Sequence, residues 1–505
     1  MRSGLSVKII VAIVVIMASV AGGFAITRSR SDNGAELADK YCVSCHLKPL
    51  PEHLDKSTWV AKVFPVMRQY LGMDQIPQRD KLPHDLQAFY PTFPAMTEDE
   101  WFSVAQWYID NAPAVLPSPV LIDVKGVTSQ FQSMPLRKTI DVPMTTVVRF
   151  DAQRRRMIIG DGFGNALHVL NMNGDSVASV SLNGPPSSVD VQPDAWYVTD
   201  MGKLLPHDSA IGRLVKITWV KDVPTSTVIL DSLRRPTSVT VADLNGDSRK
   251  DYLVCEYGNL IGRFGWYEID AKGRSKYHEL VAQPGAIRAE LRDVNGDKRL
   301  DIVVLMAQAR EGLVAYINNG KGRYTARELI TFPPCYGSSS FSFYDVDDDG
   351  KLEIIITTGD NGDYEDPPFK PYHGVYIYGS DKNGVYTQRS FQHLDGAYGA
   401  FVRDFDSDGT QDMLSFSFFP RLDRSDVDLI RFDFNVGRAN MNTWRVAHAA
   451  DGRWLASDIA DADGDGDLDV LLGNVSMGPG RIPNTVQDRW MSGGVVALYL
   501  KNTTK

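Results

Sequence analysis

The apolar residues of this chain follow two different periods. Near residue 100, Trp101, Val104, Ala105 and Tyr108 recur at intervals of three and four, which places them on one face of a helix. The capping-box sequence TEDE at residues 97–100 should begin that helix, and Asn and Pro at residues 111–113 should end it. A second short helix is predicted over residues 33–41. The first part of the chain is therefore predicted to be helical.

Farther along the chain, the apolar residues form short continuous runs that are typical of buried strands. Runs such as DYLVCEYG, DIVVLMA, EIIITTG and DVLLGNV each follow an acidic turn. Five such turns cover residues 243–251, 293–301, 345–353, 404–412 and 461–469, and their starts lie 50, 52, 59 and 57 residues apart. A period of this kind is typical of a repeat fold.

Two earlier segments share the period without the full set of carboxylates, so we predict seven repeating units. The units begin near Asp151, Asp190, Asp243, Asp293, Asp345, Asp404 and Asp461. Each has room for about four short strands, which make one blade of a β-propeller. The last unit is too short for its outer strand. Residues 131–140 are predicted to supply that strand, which would leave no open sheet edge.

The N-terminus has the pattern of an export segment. Arg2 and Lys8 precede an apolar run over residues 9–26, and a polar stretch follows. The length of the run fits either a cleaved signal peptide or a short membrane anchor, and both interpretations remain open. In either case we expect the rest of the chain outside the cytoplasm, in the periplasm or at the cell surface.

The predicted organisation has four parts. Residues 1–32 form the signal peptide or anchor, 33–112 a small all-α domain, 113–126 a Pro-rich linker, and 127–505 an all-β seven-bladed propeller.

The sequence CVSCH carries Cys42, Cys45 and His46 with the C-x-x-C-H spacing of a covalent haem c site. Two thiols at this spacing can bond one macrocycle, and the following histidine can bind its iron. A zinc site would need a second pair of cysteines, and Cys255 and Cys335 stand far apart. We therefore predict one haem. The sixth iron ligand is open between Met67, Met96 and Met73, or a free position.

Each acidic turn places oxygen ligands at positions 1, 3, 5 and 9, which is a pattern suited to calcium. We predict up to five calcium ions. The candidate ligands are Asp243, Asn245, Asp247, Asp251, Asp293, Asn295, Asp297, Asp301, Asp345, Asp347, Asp349, Glu353, Asp404, Asp406, Asp408, Asp412, Asp461, Asp463, Asp465 and Asp469.

Charge supports this interpretation and excludes one class of partner. The five turns hold twenty acidic side chains in a chain of 505 residues with a net charge of −10. Such crowded carboxylates would repel one another without cations. The negative charge also argues against nucleic-acid binding.

The loops on the face opposite the acidic turns are long, and they carry arginines and aromatic residues that suit carbohydrate-like or anionic ligands. These residues are Arg263, Arg310, Arg421, Arg481, Arg489, Tyr364, Phe369 and Trp490. His207, His373 and His393 are scattered and are more often incidental than catalytic. Cys255 is predicted to lie in the core.

The acidic turns resemble FG-GAP and VCBS repeats, which form integrin-like propellers with calcium in the blades. With CVSCH in front, the chain resembles bacterial VCBS-repeat proteins fused to an N-terminal cytochrome c domain. This resemblance implies calcium in units three to seven only. The segment Trp59 to Gly72 is also similar to haem domains of that kind, which implies Met67 as the sixth iron ligand, with Met96 as the alternative.

We therefore expect an exported electron-transfer protein, rather than an enzyme, whose propeller binds a redox partner protein or a ligand. One alternative is a redox enzyme whose propeller binds a small molecule or carbohydrate and passes electrons to the haem. It predicts His, Arg and Asp side chains converging at the mouth of the central channel. The other alternative is an adhesion or scaffold protein with a sensing haem.

Overall fold

The computed structural model describes residues 33–76, 79–120, 122–137, 140–220, 223–423, 429–438 and 441–504. The chain divides into two compact units between residues 116 and 117. This boundary falls inside the segment predicted as a linker. The apolar run at residues 9–26 lies outside the described residues. Within the described part, the helices are all too short or too polar to cross a membrane.

The first unit is helical. Its α-helices are Gly34–Tyr41, Lys56–Thr58, Phe64–Tyr70, His84–Phe89 and Glu98–Asn111, with 3-10 turns at Cys42–Ser44, Pro51–His53 and Arg79–Lys81 and a π-turn at Trp59–Val63. The capping box is confirmed, because the Thr97 side chain accepts the Glu100 amide and the Glu100 side chain accepts the Thr97 amide. Helix Gly34–Tyr41 meets Glu98–Asn111 closely at Gly34, where a Cβ would lie 2.4 Å from the Ser103 carbonyl oxygen.

An aromatic cluster forms the core of this unit. The rings of Trp59 and Tyr108 lie 4.4 Å apart, and Phe64 meets Trp101 edge-on at 5.6 Å. The Trp59 indole donates to the Pro51 carbonyl, and the Tyr108 hydroxyl donates to the Pro49 carbonyl. The predicted apolar face of the last helix is thus the buried face.

The second unit is a seven-bladed β-propeller, as predicted. Blades 1 to 6 follow chain order, and each contains four antiparallel strands. Blade 1 consists of Thr145–Asp151, Arg156–Asp161, Ala166–Asn171 and Ser176–Ser181, and blade 2 of Pro186–Val191, Trp196–Asp200, Ala210–Val220 and Val223–Arg234. Blade 3 consists of Pro236–Ala242, Asp251–Glu256, Arg263–Ile269 and Ser275–Val281, and blade 4 of Ala286–Arg292, Asp301–Met306, Gly312–Asn318 and Tyr324–Thr331. Blade 5 consists of Ser338–Tyr344, Glu353–Thr358, Gly374–Ser380 and Tyr386–His393, and blade 6 of Ala397–Arg403, Asp412–Ser417, Ile430–Phe434 and Asn442–Arg445.

Blade 7 closes the ring with a strand from the start of the propeller. It contains Trp454–Ala460, Asp469–Asn474 and Val495–Asn502, and Phe131–Arg137 pairs antiparallel with the last of these. The predicted closure by residues 131–140 is therefore confirmed. Val495–Asn502 therefore lies between Asp469–Asn474 and Phe131–Arg137, and Phe131–Arg137 is the outer strand of blade 7.

Two elements differ from the sequence prediction. Residues at the end of the expected linker form a strand, Val124–Val127, which adds to blade 6 in parallel with Asn442–Arg445. The loop after residue 473, expected to be irregular, contains the helix Asn484–Gly493. Its Trp490 is fully buried, with the indole donating to the Ala450 carbonyl.

Apolar side chains between neighbouring blades form the core of the propeller. Cys255 is 1% exposed within one such layer, so its predicted core position is confirmed. Hydroxyl groups near the start of several innermost strands also link one blade to the next. They donate to a carbonyl of the following blade, as in Thr146 to Pro186, Ser187 to Pro236, Thr237 to Ala286 and Ser339 to Ala397.

Candidate metal, haem and ligand sites

All five acidic turns join the first strand of a blade to its second strand. The first aspartate of each turn folds the backbone around its carboxylate. In blade 3, for example, Asp243 accepts the amides of Gly246, Asp247 and Ser248 at 2.7–3.1 Å. The five turns therefore lie on the same face of the propeller, and their backbone is organised around acidic side chains.

Three turns bring carboxylates close enough to share one cation. In each of blades 5, 6 and 7, three carboxylate oxygens lie within 4.8 Å of one another. The groups are Asp345, Asp347 and Glu353; Asp404, Asp406 and Asp412; and Asp461, Asp463 and Asp465. Asp349, Asp408 and Asp469 complete the predicted ligand sets but lie outside these close groups.

The turns of blades 3 and 4 are looser. Asp247 is paired with Arg249, and Asp297 with Arg299 at 2.6 Å, so a basic side chain already contacts the fifth position. Among the described residues, these turns form no such group of three carboxylates. Their side-chain amides, Asn245 and Asn295, add neutral oxygens that also suit calcium.

The ninth position of each turn is a buried carboxylate at the start of the second strand. Asp251, Asp301, Asp412 and Asp469 are 0% exposed, and Glu353 is 1% exposed. Each accepts the amide of the second turn residue, as Asp412 does from Phe405 at 3.2 Å. This residue thus holds the turn against the blade, in addition to any role as a ligand.

Burial and neighbouring carboxylates raise the pKa of several of these acids. The pKa of Asp251 rises to about 6, that of Asp469 to about 6 and that of Asp412 to about 7, with desolvation as the largest cause. The buried Asp251 Oδ1 has no hydrogen-bond partner among the described residues. A divalent cation would supply the missing positive charge, so these residues fit calcium.

Blades 1 and 2 use basic side chains at the corresponding place. In blade 1, Arg154 contacts the buried Asp151 at 2.8 Å, and Trp196 donates to the same carboxylate. In blade 2, Lys250 and Lys216 both contact Asp194. Neither blade holds the ligand set of the other five, in agreement with the sequence.

The C-x-x-C-H motif directly follows the first helix. Cys42 begins the 3-10 turn Cys42–Ser44, and Cys45 and His46 follow it with both thiols free. The His46 Nδ1 lies 3.0 Å from the Leu47 carbonyl oxygen, and burial lowers the pKa of the imidazole. The neutral imidazole is the form that binds a metal.

Apolar side chains near this motif are left exposed. Val43, Leu47 and Leu50 have 46%, 46% and 43% of their surface accessible. Exposed apolar residues around two free thiols and a neutral histidine fit an apolar macrocycle bonded at this place. The residues present are therefore compatible with covalent haem.

The candidates for the sixth iron ligand differ in burial. Met67 lies on helix Phe64–Tyr70 and is partly buried, as is Met73. Met96 is 5% exposed and, with Met73, lines an open cleft of about 410 Å³.

Most of the loop arginines predicted to bind a ligand are engaged locally. Arg263 contacts the buried Glu256 at 2.8 Å, Arg421 contacts Asp423 and lies over Phe369, and Arg489 donates to the Ala450 carbonyl. Arg310 is exposed. Trp490 is fully buried and cannot stack on a ligand, which corrects that expectation.

The three histidines do not form one group. His207 lies 3.1 Å from the Met201 carbonyl oxygen, and His393 lies 3.3 Å from Asp395. His373 is 1% exposed, and burial keeps its pKa well below the usual value.

Sequence reasoning missed another set of residues, on the face of the propeller opposite the acidic turns. Arg235 lies between blades 2 and 3, and Tyr257, Asp360 and Tyr398 come from blades 3, 5 and 6. The four residues lie within electrostatic range of one another. They are far apart in sequence, and none belongs to a repeated motif. Only the ring of blades brings them together.

Comparison with known proteins supports the repeat assignment over part of the chain. Residues 293–356, from the turn of blade 4 into the second strand of blade 5, match the family model of the FG-GAP-like repeat. No curated protein sequence matches this chain.

Several solved structures are similar to this chain at low sequence identity. A streptogramin B lyase is 11% identical over 74% of this chain and 98% of that one, with a TM-score of 0.46. BBS1N, crystallised in complex with ARL6DN, is 12% identical over 74% and 97%, with a TM-score of 0.43. Regucalcin from Agrobacterium tumefaciens str. C58 is 10% identical over 76% and 98%, with a TM-score of 0.39.

Proposed function

We propose that this chain is an exported c-type cytochrome that carries one covalent haem for electron transfer, and that its calcium-stabilised propeller binds a redox partner or a ligand. The observation that carries the proposal is Cys42, Cys45 and His46 at the C-x-x-C-H spacing, with free thiols and exposed apolar neighbours. The export pattern of residues 1–32 supports it, because it directs the chain out of the reducing cytoplasm.

The residues of the helical unit have distinct tasks in this proposal. Cys42 and Cys45 would form the two thioether bonds, His46 would bind the iron, and Met67, or alternatively Met96, would be its second protein ligand. When bound, haem c supplies a one-electron couple, and a thioether ligand raises its potential. The contact between Trp59 and Tyr108 packs the helical segment 56–70 against helix Glu98–Asn111.

Calcium has a structural task in this proposal. The clustered carboxylates of blades 5, 6 and 7 would each bind one ion, and the turns of blades 3 and 4 would bind further ions more weakly. Each ion would fix a turn at the start of a buried second strand. The opposite face then remains free for recognition, because its loops are not needed to hold the metal.

The test is spectroscopic and uses the full chain, produced in a host that attaches haem to exported proteins. We expect a low-spin absorption spectrum and an intact mass raised by one haem. Replacement of Cys42 and Cys45 by Ala should abolish both signals, whereas Cys255→Ala should keep them. A wild-type protein with the unmodified mass and no haem spectrum would refute the proposal.

The sixth ligand is tested in the same material. Met67→Leu should remove the Met-ligand signature and produce a high-spin spectrum, whereas Met96→Leu should leave it unchanged. The reverse result would assign Met96. A high-spin wild-type spectrum would instead favour a sensing haem with an open position.

A second candidate is a redox enzyme that passes electrons from a substrate on the propeller to the haem. This alternative predicts His, Arg and Asp side chains at the channel mouth, and the convergence of Arg235 and Asp360 with Tyr257 and Tyr398 supports it in part, since this set holds an Arg and an Asp and lacks a His. Reduction of the haem by an added sugar or alcohol would support the enzyme. Reduction only by a partner protein would support the carrier.

A further inference from the structure

The mouth of the central channel, on the face opposite the acidic turns, gathers side chains from separate blades. Arg235 immediately precedes the innermost strand of blade 3, and Tyr398 lies near the start of the innermost strand of blade 6. Tyr257 and Asp360 follow the second strands of blades 3 and 5. The Arg235 guanidinium lies 5.5 Å from the centre of the Tyr257 ring. We call these four residues the mouth cluster.

The mouth cluster has unused hydrogen-bonding groups. The buried Arg235 Nε has no acceptor among the described residues. The described residues also provide no hydrogen-bond partner for the hydroxyls of Tyr257 and Tyr398. Asp360 accepts the Gly362 amide at 2.8 Å through one oxygen. All four side chains are only partly buried, so a ligand can reach them.

Other charged groups nearby are already engaged. Asp208 Oδ1 accepts three successive amides, those of Asn259, Leu260 and Ile261, at 2.7–3.0 Å. Lys370 is 2% exposed and donates to the Cys335 carbonyl at 2.8 Å. These groups shape the loops around the mouth cluster and do not compete for a ligand.

An open cleft begins at Gly362, whose amide donates to Asp360 at 2.8 Å. It has a volume of about 450 Å³ and is lined by residues 362–365 of blade 5 and 478–482 of blade 7. This volume falls within the usual range for small-molecule sites. The wall from blade 7 is held by Arg453, which is 2% exposed and donates to the carbonyls of Val475, Met477 and Pro479.

The charge balance selects the kind of ligand. Asp360 in the mouth cluster and Asp363 and Glu365 in the cleft would repel an anion, and Arg481 of the cleft is already paired with Asp366 at 3.2 Å. A hydroxyl group both donates and accepts, so it can serve the Arg235 N–H groups and the Asp360 carboxylate together. The partly buried tyrosine rings add apolar surface beside these polar groups.

We propose that the mouth cluster and the adjoining cleft bind a neutral polyhydroxylated ligand, such as a monosaccharide or a sugar alcohol, through Arg235, Asp360 and Tyr398. This inference rests on the proposed function only in that the free face of the propeller serves recognition. It does not depend on haem.

The test is calorimetric titration of the calcium-loaded full chain with glucose, galactose, xylose and sorbitol, and with glucuronate as the anionic comparison. We expect saturable binding of at least one neutral compound and weaker binding of glucuronate. Arg235→Gln and Asp360→Asn should each lower the affinity at least tenfold, and Tyr398→Phe several-fold. Arg274→Gln, an exposed arginine in a hairpin on the opposite face, is the matched control and should change nothing.

Thermal unfolding in calcium should be unchanged in these variants, which separates lost contacts from lost folding. The chain with Cys42 and Cys45 replaced by Ala should bind the same compound with the same affinity, so a failure of the haem proposal would leave this result intact. The inference is overturned if no neutral compound binds at millimolar concentration, if glucuronate binds more tightly, or if the mouth variants bind as the wild type does.

Discussion

Blades 1 and 2 and blades 5 to 7 all place acidic groups in the turn between the first and second strands, and they differ in the basic side chains that contact these groups. In blade 1, Arg154 lies on the buried Asp151, and in blade 2 two lysines meet Asp194. In blades 5 to 7, three carboxylates of each turn lie within 4.8 Å of one another. Basic side chains also reach two of these turns. Arg389 contacts Asp347 at 2.6 Å and Glu353 at 3.3 Å in blade 5, and Lys501 contacts Asp463 and Asp465 in blade 7. Among the described residues, no basic side chain forms an ion pair with the acidic turn of blade 6, so its carboxylates have the greatest need of a cation from solution.

Blades 3 and 4 combine an acidic turn with a basic residue of that same turn, as blade 5 does with Lys351 and Asp349 at 2.9 Å. Arg249 and Arg299 contact the fifth position of their own turns, while the first and ninth positions remain acidic. The number of basic side chains on the turn therefore differs from blade to blade. Basic side chains can balance part of the crowded negative charge, and we expect calcium to balance the rest.

Calcium removal should have the largest effect on this comparison. An ion present at a hundred times its Kd stabilises a folded protein by about 2.7 kcal/mol per site, so three sites give about 8 kcal/mol. We expect metal-free protein to unfold about 10 °C lower than calcium-loaded protein in a thermal scan. Magnesium at the same concentration is the control and should restore less stability. Equal unfolding temperatures with and without calcium would contradict the account.

Arg154→Ala should destabilise the protein by about 3 kcal/mol, because it leaves the buried Asp151 without its cation. The loss should be the same with and without calcium, since blade 1 lacks the ligand set. The neighbouring Arg155→Ala, at an exposed position, is the matched control. Denaturant unfolding measures both variants, and full rescue of Arg154→Ala by calcium would show that blade 1 does bind metal.

Asp406→Asn should reduce the calcium content by one ion and the stability by about 2 kcal/mol in calcium. In metal-free protein the same change should be neutral or slightly stabilising, because it relieves repulsion within Asp404, Asp406 and Asp412. Elemental analysis and paired unfolding curves test this. Asp423→Asn, in a loop outside the acidic turns, is the control. A variant that kept the full calcium content would remove blade 6 from the account.

The stabilisation by calcium should grow as the pH rises from about 5 to about 8. The folded-state pKa values of Asp412, at about 7, and of Asp251 and Asp469, at about 6, lie above the ordinary aspartate value. In metal-free protein, such groups favour the folded state while protonated, and this stability is lost as the pH rises through their folded pKa values. Calcium requires the ionised form. We expect the difference in unfolding temperature between calcium-loaded and metal-free protein to widen by a few degrees over this pH range. A constant difference would argue against Asp251, Asp412 and Asp469 as calcium ligands.

The sequence predicted the propeller well because each blade repeats a local signal, an acidic turn followed by an apolar strand. Closure by Phe131–Arg137 was also predictable, since blade 7 was visibly short of a strand. Val124–Val127 was not, because four residues with alternating burial carry little strand signal in a Pro-rich context. The mouth cluster had no signal at all, since its members meet only through the closed ring.

The candidate sites divide in the same way. The calcium turns and the haem motif are local in sequence and could be proposed from spacing alone. Spacing does not reveal whether a basic side chain already contacts a predicted ligand, as Arg249 does at Asp247 and Arg299 does at Asp297. Trp490 shows the reverse error, because a residue in an apparent loop proved to be part of a buried helix.

The most direct test of the central claim is the iron and calcium content of the purified, exported full-length chain, measured together by elemental analysis. We expect one iron per chain and at least three calcium ions, with calcium lost on chelation and iron retained, as a covalently bound haem requires. A chain that contains neither metal would contradict the central claim.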